Sequence, residues 1–209
     1  MTGGRSLVEV LERSRDLGLL GPGPVDDHIR HAEVFVEAHA EHVGGVPTRF
    51  VDLGSGGGVP GLVVALRWAE VEGRLLDGQL RRVRFLTEAL EELGIDDRVE
   101  AVHGRAEELA HRPELRRLAD VVTARSFAQP GITAESGVGF LRPGGVFLVA
   151  EPPEDVGDRW PAGPLESLGL VDAGITRSLA GSVRCLRLAG DLSPSIPRRA
   201  AAMQRRPHF

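Results

Sequence analysis

The 209-residue chain contains no lysine, so all 25 of its cationic side chains are arginine. A phosphate-binding loop of the G-x-x-x-x-G-K-[ST] type is therefore excluded. Cysteine is nearly absent as well. Cys185 stands alone, which rules out an intramolecular disulfide framework and a cysteine-based zinc site. Its alternating apolar surroundings mark it as a small core residue. No apolar run reaches the roughly 18 residues of a membrane span, and residues 1–5 lead into no apolar signal segment with a cleavage site. The chain is expected to be cytoplasmic. There is no internal repeat. The histidines His28, His31, His39, His42, His103 and His111 show no metal-ligand spacing, so no metal is expected; the first four fall near one helix and read as a solvated face.

What is present suits an ordinary folded domain. Hydrophobic residues make up 42% of the chain, enough for a core and too many for a disordered segment. The length fits one domain, expected to act as a monomer. A formal net charge of -5 excludes a generally polycationic nucleic-acid binder. Two local clusters run against it: Arg81, Arg82 and Arg84, and Arg198, Arg199, Arg205 and Arg206. Each reads either as a phosphate-docking patch or as solvated arginine on a helix face and a frayed tail.

Apolar periodicity and chain breakers predict two N-terminal helices, over 6–17 and from about 25 to 43, separated by Gly21, Pro22, Gly23 and Pro24. Strand and helix then alternate. Strands are expected at 49–53, 73–77, 99–103, 120–124 and 146–151, with helices over 61–70 and 79–92, the second stopped by Gly94. The turn Arg142-Pro143-Gly144-Gly145 leads into the fifth strand. Two further strands, 171–177 and 183–188, have no helix between them and suggest a hairpin at one sheet edge. The spacing implies an α/β fold: a doubly wound, mostly parallel, seven-stranded sheet with N-terminal helices. The single domain divides into a helical cap (1–45), an α/β core (46–190) and a basic tail (191–209).

The chemistry concentrates in Phe50-Val51-Asp52-Leu53-Gly54-Ser55-Gly56-Gly57-Gly58-Val59-Pro60-Gly61. An apolar strand runs into a turn with glycine at every second place, where a ligand can lie against bare backbone. A dinucleotide fingerprint starting at Gly54 needs glycine where Val59 stands, so it fits poorly. Asp52 precedes the first glycine, and a carboxylate there suits a ligand with a cationic amino-acid end. Asp77 closes the second strand, where an acid can accept both hydroxyls of a ribose. Together these features form the D-x-G-x-G-x-G signature of class I methyltransferases, which implies S-adenosylmethionine as cofactor.

The segment Val51–Leu66 also resembles the loop of the bacterial 16S ribosomal RNA guanine-N7 methyltransferases, the RsmG or GidB family. Leu75-Leu76-Asp77 with Arg81-Arg82-Val83-Arg84-Phe85-Leu86, Val102-His103-Gly104-Arg105-Ala106-Glu107-Glu108, Asp120–Ala128 and Leu141-Arg142-Pro143-Gly144-Gly145 are similar to that family's later elements. Pro197-Arg198-Arg199 resembles its tail. The resemblance covers roughly half the chain. It implies that Gly54 and Val59 touch the cofactor from the loop. Asp77 would hold the ribose, and Ala106 and Glu107 would flank the adenine. Arg125 would sit beside the cofactor and face the substrate, and the partner would be ribosomal RNA or the small ribosomal subunit. The sequence departs from the family in three places. The N-terminal W-N-x-x-x-N-L-T segment is missing, His28 and His31 only echo an H-x-x-D-S element, and Ala150-Glu151-Pro152-Pro153 replaces L-K-G.

No Ser/His/Asp or Cys/His constellation is visible, and none is needed. Guanine N7 carries a lone pair and no proton, so methyl transfer requires alignment and exclusion of water, not a base. Arg125 reads either as a donor to guanine O6 or a phosphate or as part of a structural ion pair. Glu108 is a favourable charge at a helix N-terminus. Glu151 reads as an orienting group for a small acceptor or as an edge-solvated acid. Two other functions therefore stay open: methyl transfer to a small molecule or protein, and a non-catalytic cofactor-binding module.

Overall fold

The computed structural model describes residues 5–153 and 157–209. Seven strands form one sheet: β1 (Arg49–Leu53), β2 (Glu72–Asp77), β3 (Val99–His103), β4 (Ala119–Ala124), β5 (Leu141–Glu151), β6 (Leu170–Ser178) and β7 (Gly181–Leu188). Their spatial order is β3-β2-β1-β4-β5-β7-β6. The first five pair in parallel, and β7 runs antiparallel between β5 and β6. The expected hairpin thus closes one edge, with its second strand inserted inside its first. Strand order reverses between β2-β1 and β1-β4, which opens a crevice at the carboxyl ends of β1 and β4.

Eight helices cover the sheet among the described residues: α1 (Leu7–Asp16), α2 (Val25–His42), α3 (Gly61–Arg67), α4 (Leu80–Leu93), α5 (Ala106–Leu109), α6 (Pro130–Val138), α7 (Ala162–Ser167) and α8 (Ala200–Arg205). Two apolar layers result. One gathers α1 to α4 through residues such as Leu11, Phe35, Leu62 and Leu86. The other gathers α5 to α7 through Leu109, Val138 and Leu165. Cys185 is fully buried in the first layer, as its neighbours suggested. α1 opens with a reciprocal capping box between Ser6 and Glu9, which satisfies donors that the first turn leaves free. α4 ends at Gly94 in the left-handed conformation, where a side chain would be strained.

Two expectations need correction. The Arg142–Gly145 turn does not precede β5 but lies within it. Leu141 already pairs with Ala119, and the four residues form an irregularity before Val146 pairs with Val121. The C-terminal segment is not frayed. Pro197 leads into α8, Met203 is buried, and Arg198 is committed to Glu135 of α6. Its backbone N–H and Nε each donate to Glu135 Oε1 at 2.8 Å, and its Nη2 donates to Oε2 at 2.6 Å. Arg198 is thereby unavailable for phosphate. Arg81 and Arg82 of the other cluster are also held: Arg81 donates to the Leu17 carbonyl, and Arg82 lies 3.5 Å from Asp77.

Burial would raise the pKa of Glu135, yet the hydrogen bonds from Arg198 outweigh it and hold the carboxyl below its ordinary range. A depressed folded-state value contributes stability above the unfolded pKa and loses it as pH falls. Arg198→Ala strands a fully buried carboxylate. It should lower unfolding stability near pH 7 by about 3–5 kcal/mol, with the deficit shrinking in acid as Glu135 protonates. Urea unfolding of both chains across pH 4–8 measures this, and a deficit independent of pH would contradict it.

Candidate active site

The loop leaving β1 is shaped by its own backbone. Gly54 has φ 63°, a left-handed value that glycine adopts without strain. A side chain there would also meet the Phe127 ring at 2.8 Å. Gly56, with φ 54°, turns its N–H toward the tip of β2, where it donates to Asp77 Oδ2 at 3.0 Å. The Gln79 N–H donates to Oδ1 at 2.8 Å. Two amides thus fix the plane of the Asp77 carboxylate. An ionised carboxylate has about four acceptor positions, so capacity is left on the side that faces a cavity of about 240 Å³. That cavity is lined by Gly54, Asp77, Ala106, Glu107 and Phe127, with Met203 of α8 among the residues that close it.

Five of the expected cofactor residues do not line this cavity: Asp52, Gly56, Gly58, Val59, and Arg125, which borders a second one. Asp52 is fully buried beneath the loop. Its Oδ1 accepts from the Thr123 hydroxyl at 2.7 Å, and its Oδ2 faces the Gly61 amide without a well-formed hydrogen bond. Burial pushes its pKa up to about 6, against the opposing pull of Thr123. The carboxylate therefore does not meet a ligand's amino group; it ties β1 to β4, where Asp52 and Thr123 are register partners. Val59 turns into the first apolar layer. Gly58 makes room for Leu62, whose Cδ1 would lie 2.5 Å from an added Cβ. Gly56 serves through its N–H, as above.

Arg125, directly after β4, faces a second cavity of about 450 Å³. This one lies at the carboxyl ends of β4 and β5, beside α2, and shares Phe127 and Ala128 with the first. Arg125 makes no ion pair among the described residues. Its Nη2 lies 3.1 Å from His28 Nδ1, and no described residue supplies the carboxylate of a structural ion pair. Glu151 borders the same cavity but is already committed. It binds Arg159 and the Trp160 indole N–H, and Arg184 at 3.1 Å. It is neither an edge-solvated acid nor a free orienting group. The α2 histidines are not a solvated face either. His39 is buried edge-on against Trp68 at 5.4 Å between ring centres. His31 is pushed down to about 4, by burial first and then by Arg125.

Sequence reasoning did not find Phe127 as the wall between the cavities, His28 as the partner of Arg125, or α8 as a wall of the first cavity. Each is a contact between segments far apart in the chain, with no local spacing to announce it.

Residues 27–152 match the family described as rRNA small subunit methyltransferase G, GidB. Two curated relatives named "Ribosomal RNA small subunit methyltransferase G" agree. The one from Lactobacillus delbrueckii subsp. bulgaricus is 33% identical over 168 residues, spanning 76% of this chain and 69% of that protein. The one from Mycolicibacterium smegmatis is 36% identical over 161 residues, spanning 77% and 67%. The chain belongs to this family. It is an S-adenosylmethionine-dependent methyltransferase with a class I fold. Among solved structures, cofactor-bound Rv0187 from MTB superposes with a TM-score of 0.62 at 18% identity, over 88% of this chain and 90% of that one; this likeness shows the fold alone.

The residues present fit the cofactor. A carboxylate pinned by two amides stands at the tip of β2, bare backbone at Gly54 borders the same cavity, and Ala106 with Glu107 lies across it. Asp77→Ala removes the pinned carboxylate. It should weaken cofactor binding by about 2–3 kcal/mol, roughly 30- to 150-fold, in isothermal titration; unchanged affinity would remove Asp77 from the site. For Asp52 the folded pKa is raised, so the neutral form is favoured in the fold and stability falls as pH rises between 3.8 and about 6. Asp52→Asn should therefore raise stability at pH 7.5 by up to about 3 kcal/mol, with little gain near pH 4. A destabilised Asn variant at pH 7.5 would show that the ionised carboxylate is needed there.

Proposed function

We propose that this chain transfers a methyl group to N7 of a guanine in 16S ribosomal RNA, with the small ribosomal subunit or its RNA as partner. The observation that carries the reading is the family match joined to two adjoining cavities at the strand ends, one fitted to the cofactor and one beside it walled by Arg125. S-adenosylmethionine supplies the sulfonium methyl when bound. In the first cavity Asp77 would hold the ribose hydroxyls, while Ala106 and Glu107 would flank the adenine. Gly54 lets the ligand lie on the backbone; Asp52, Gly56, Gly58 and Val59 shape the loop from beneath and beside.

The chain's remaining task is placement. Guanine N7 is a nucleophile without a proton, so no residue has to act as base, and holding the base within near-attack distance in a site closed to water is sufficient. Arg125 borders the second cavity and supplies N–H donors of the kind that pair with guanine O6. A small-molecule acceptor loses the residue that motivated it, because Glu151 is saturated by Arg159, Arg184 and Trp160.

Tritiated-methyl transfer tests the reading. Small subunits from a strain without the family enzyme should take label into 16S RNA, recovered as 7-methylguanosine after digestion. Unlabelled RNA beside labelled small metabolites would overturn the assignment.

A further inference from the structure

Arg125 is a half-buried cation that meets no carboxylate among the described residues, and it borders the second cavity. Guanidinium carries five N–H donors and no acceptor. Among the described residues one of those donors is used within the chain, by His28 Nδ1 at 3.1 Å. Its other donors face the cavity, and partial burial pulls Arg125 below the usual arginine range, with Asp52 opposing.

The bond to His28 also fixes that residue's proton. Arginine can only donate, so Nδ1 of His28 must accept and cannot carry hydrogen. The ring's proton therefore sits on Nε2, which lies 3.1 Å from the Gly21 carbonyl and donates to it. A chain of two hydrogen bonds runs from the Gly21–Pro24 turn through a neutral imidazole to the guanidinium. One end is backbone, and the other is the side chain that faces the cavity. The carbonyl and the imidazole of this chain come from the segment where the sequence departs from the family's N-terminal pattern. His31 lines the same cavity, and its Nδ1 is buried without a partner, so a second polar atom there is left unsatisfied by the protein itself.

We infer that His28 is a positioning residue for the methyl acceptor, bracing Arg125 from the Gly21 carbonyl so that its free donors point into the second cavity at the acceptor edge of the base. This rests on the ribosomal RNA reading above, and it gives the helical cap a part in catalysis: α2 aims a side chain of the strand end instead of only covering the sheet. His28 lines the second cavity and not the first, so its loss should act on the acceptor and spare the cofactor.

The experiment compares the wild-type chain with His28→Ala and His28→Asn in methyl transfer to undermethylated small subunits, with cofactor affinity measured by titration and folding by thermal unfolding. Asn places a neutral oxygen acceptor near the position of Nδ1. His28→Ala should lower kcat/KM for the subunit about 10- to 100-fold, with cofactor affinity unchanged. His28→Asn should recover most of the loss. An Ala variant that keeps full activity would overturn the brace. So would an Asn variant as impaired as Ala at equal cofactor affinity and stability, because accepting a hydrogen bond would then not be what His28 contributes. A loss of cofactor affinity in step with activity would place His28 in the cofactor site or in folding. If the wild-type chain itself leaves the RNA unlabelled, the substrate reading falls, and the brace falls with it for want of the acceptor it serves.

Discussion

The hydrogen bond from the Gly56 amide to the Asp77 carboxylate ties the loop after the first strand to the tip of the second. The rest of the site depends on it. It requires glycine's left-handed backbone at position 56, and together with the Gln79 amide it fixes the plane of the acid. It also sets the wall of the first cavity. A second carboxylate works beneath the same loop: Asp52 joins β1 to β4 through Thr123. One acid therefore spans each side of the strand at which sheet order reverses. Polar bonds thus join the strands on both sides of that reversal, while Val59, Leu62 and Phe127 pack apolar surface around the loop.

Much of this was legible in the sequence, for a physical reason. Strand-and-helix alternation, glycine at a tight loop and an acid at a strand end are all local signals, so the seven strands, the doubly wound order and Asp77 could be read from spacing alone. The direction of a buried side chain is not a local signal. Asp52 lies one strand-step from the loop, but period-two alternation alone does not say whether its carboxylate points to the ligand or to the neighbouring strand; Thr123 decides that. Glu151 shows the same limit. Its position after β5 was evident, while its three partners come from Arg159, Trp160 and Arg184. Short helices such as α5 and α7 have too few turns for their periodicity to register.

Phe127 gives the site its division of labour. Its ring lies over Gly54 on one side and borders the Arg125 cavity on the other. A ligand pair that reacts by in-line displacement must meet across a short gap, and this ring stands at the boundary between the two compartments. The side chain after a positive-φ residue, Ser126, is held away from the β4 direction, which is what lets it stand between the cavities instead of continuing the strand.

The C-terminal segment carries a genetic consequence. α8 supplies Ala200, Met203 and Gln204 to the first cavity, and it is anchored by Arg198 on Glu135, outside every strand of the sheet. A premature stop codon between positions 189 and 198 would leave all seven strands encoded yet strip a wall from the cofactor compartment and orphan a buried acid. Alleles with that lesion would resemble active-site mutants while retaining every residue of the glycine loop.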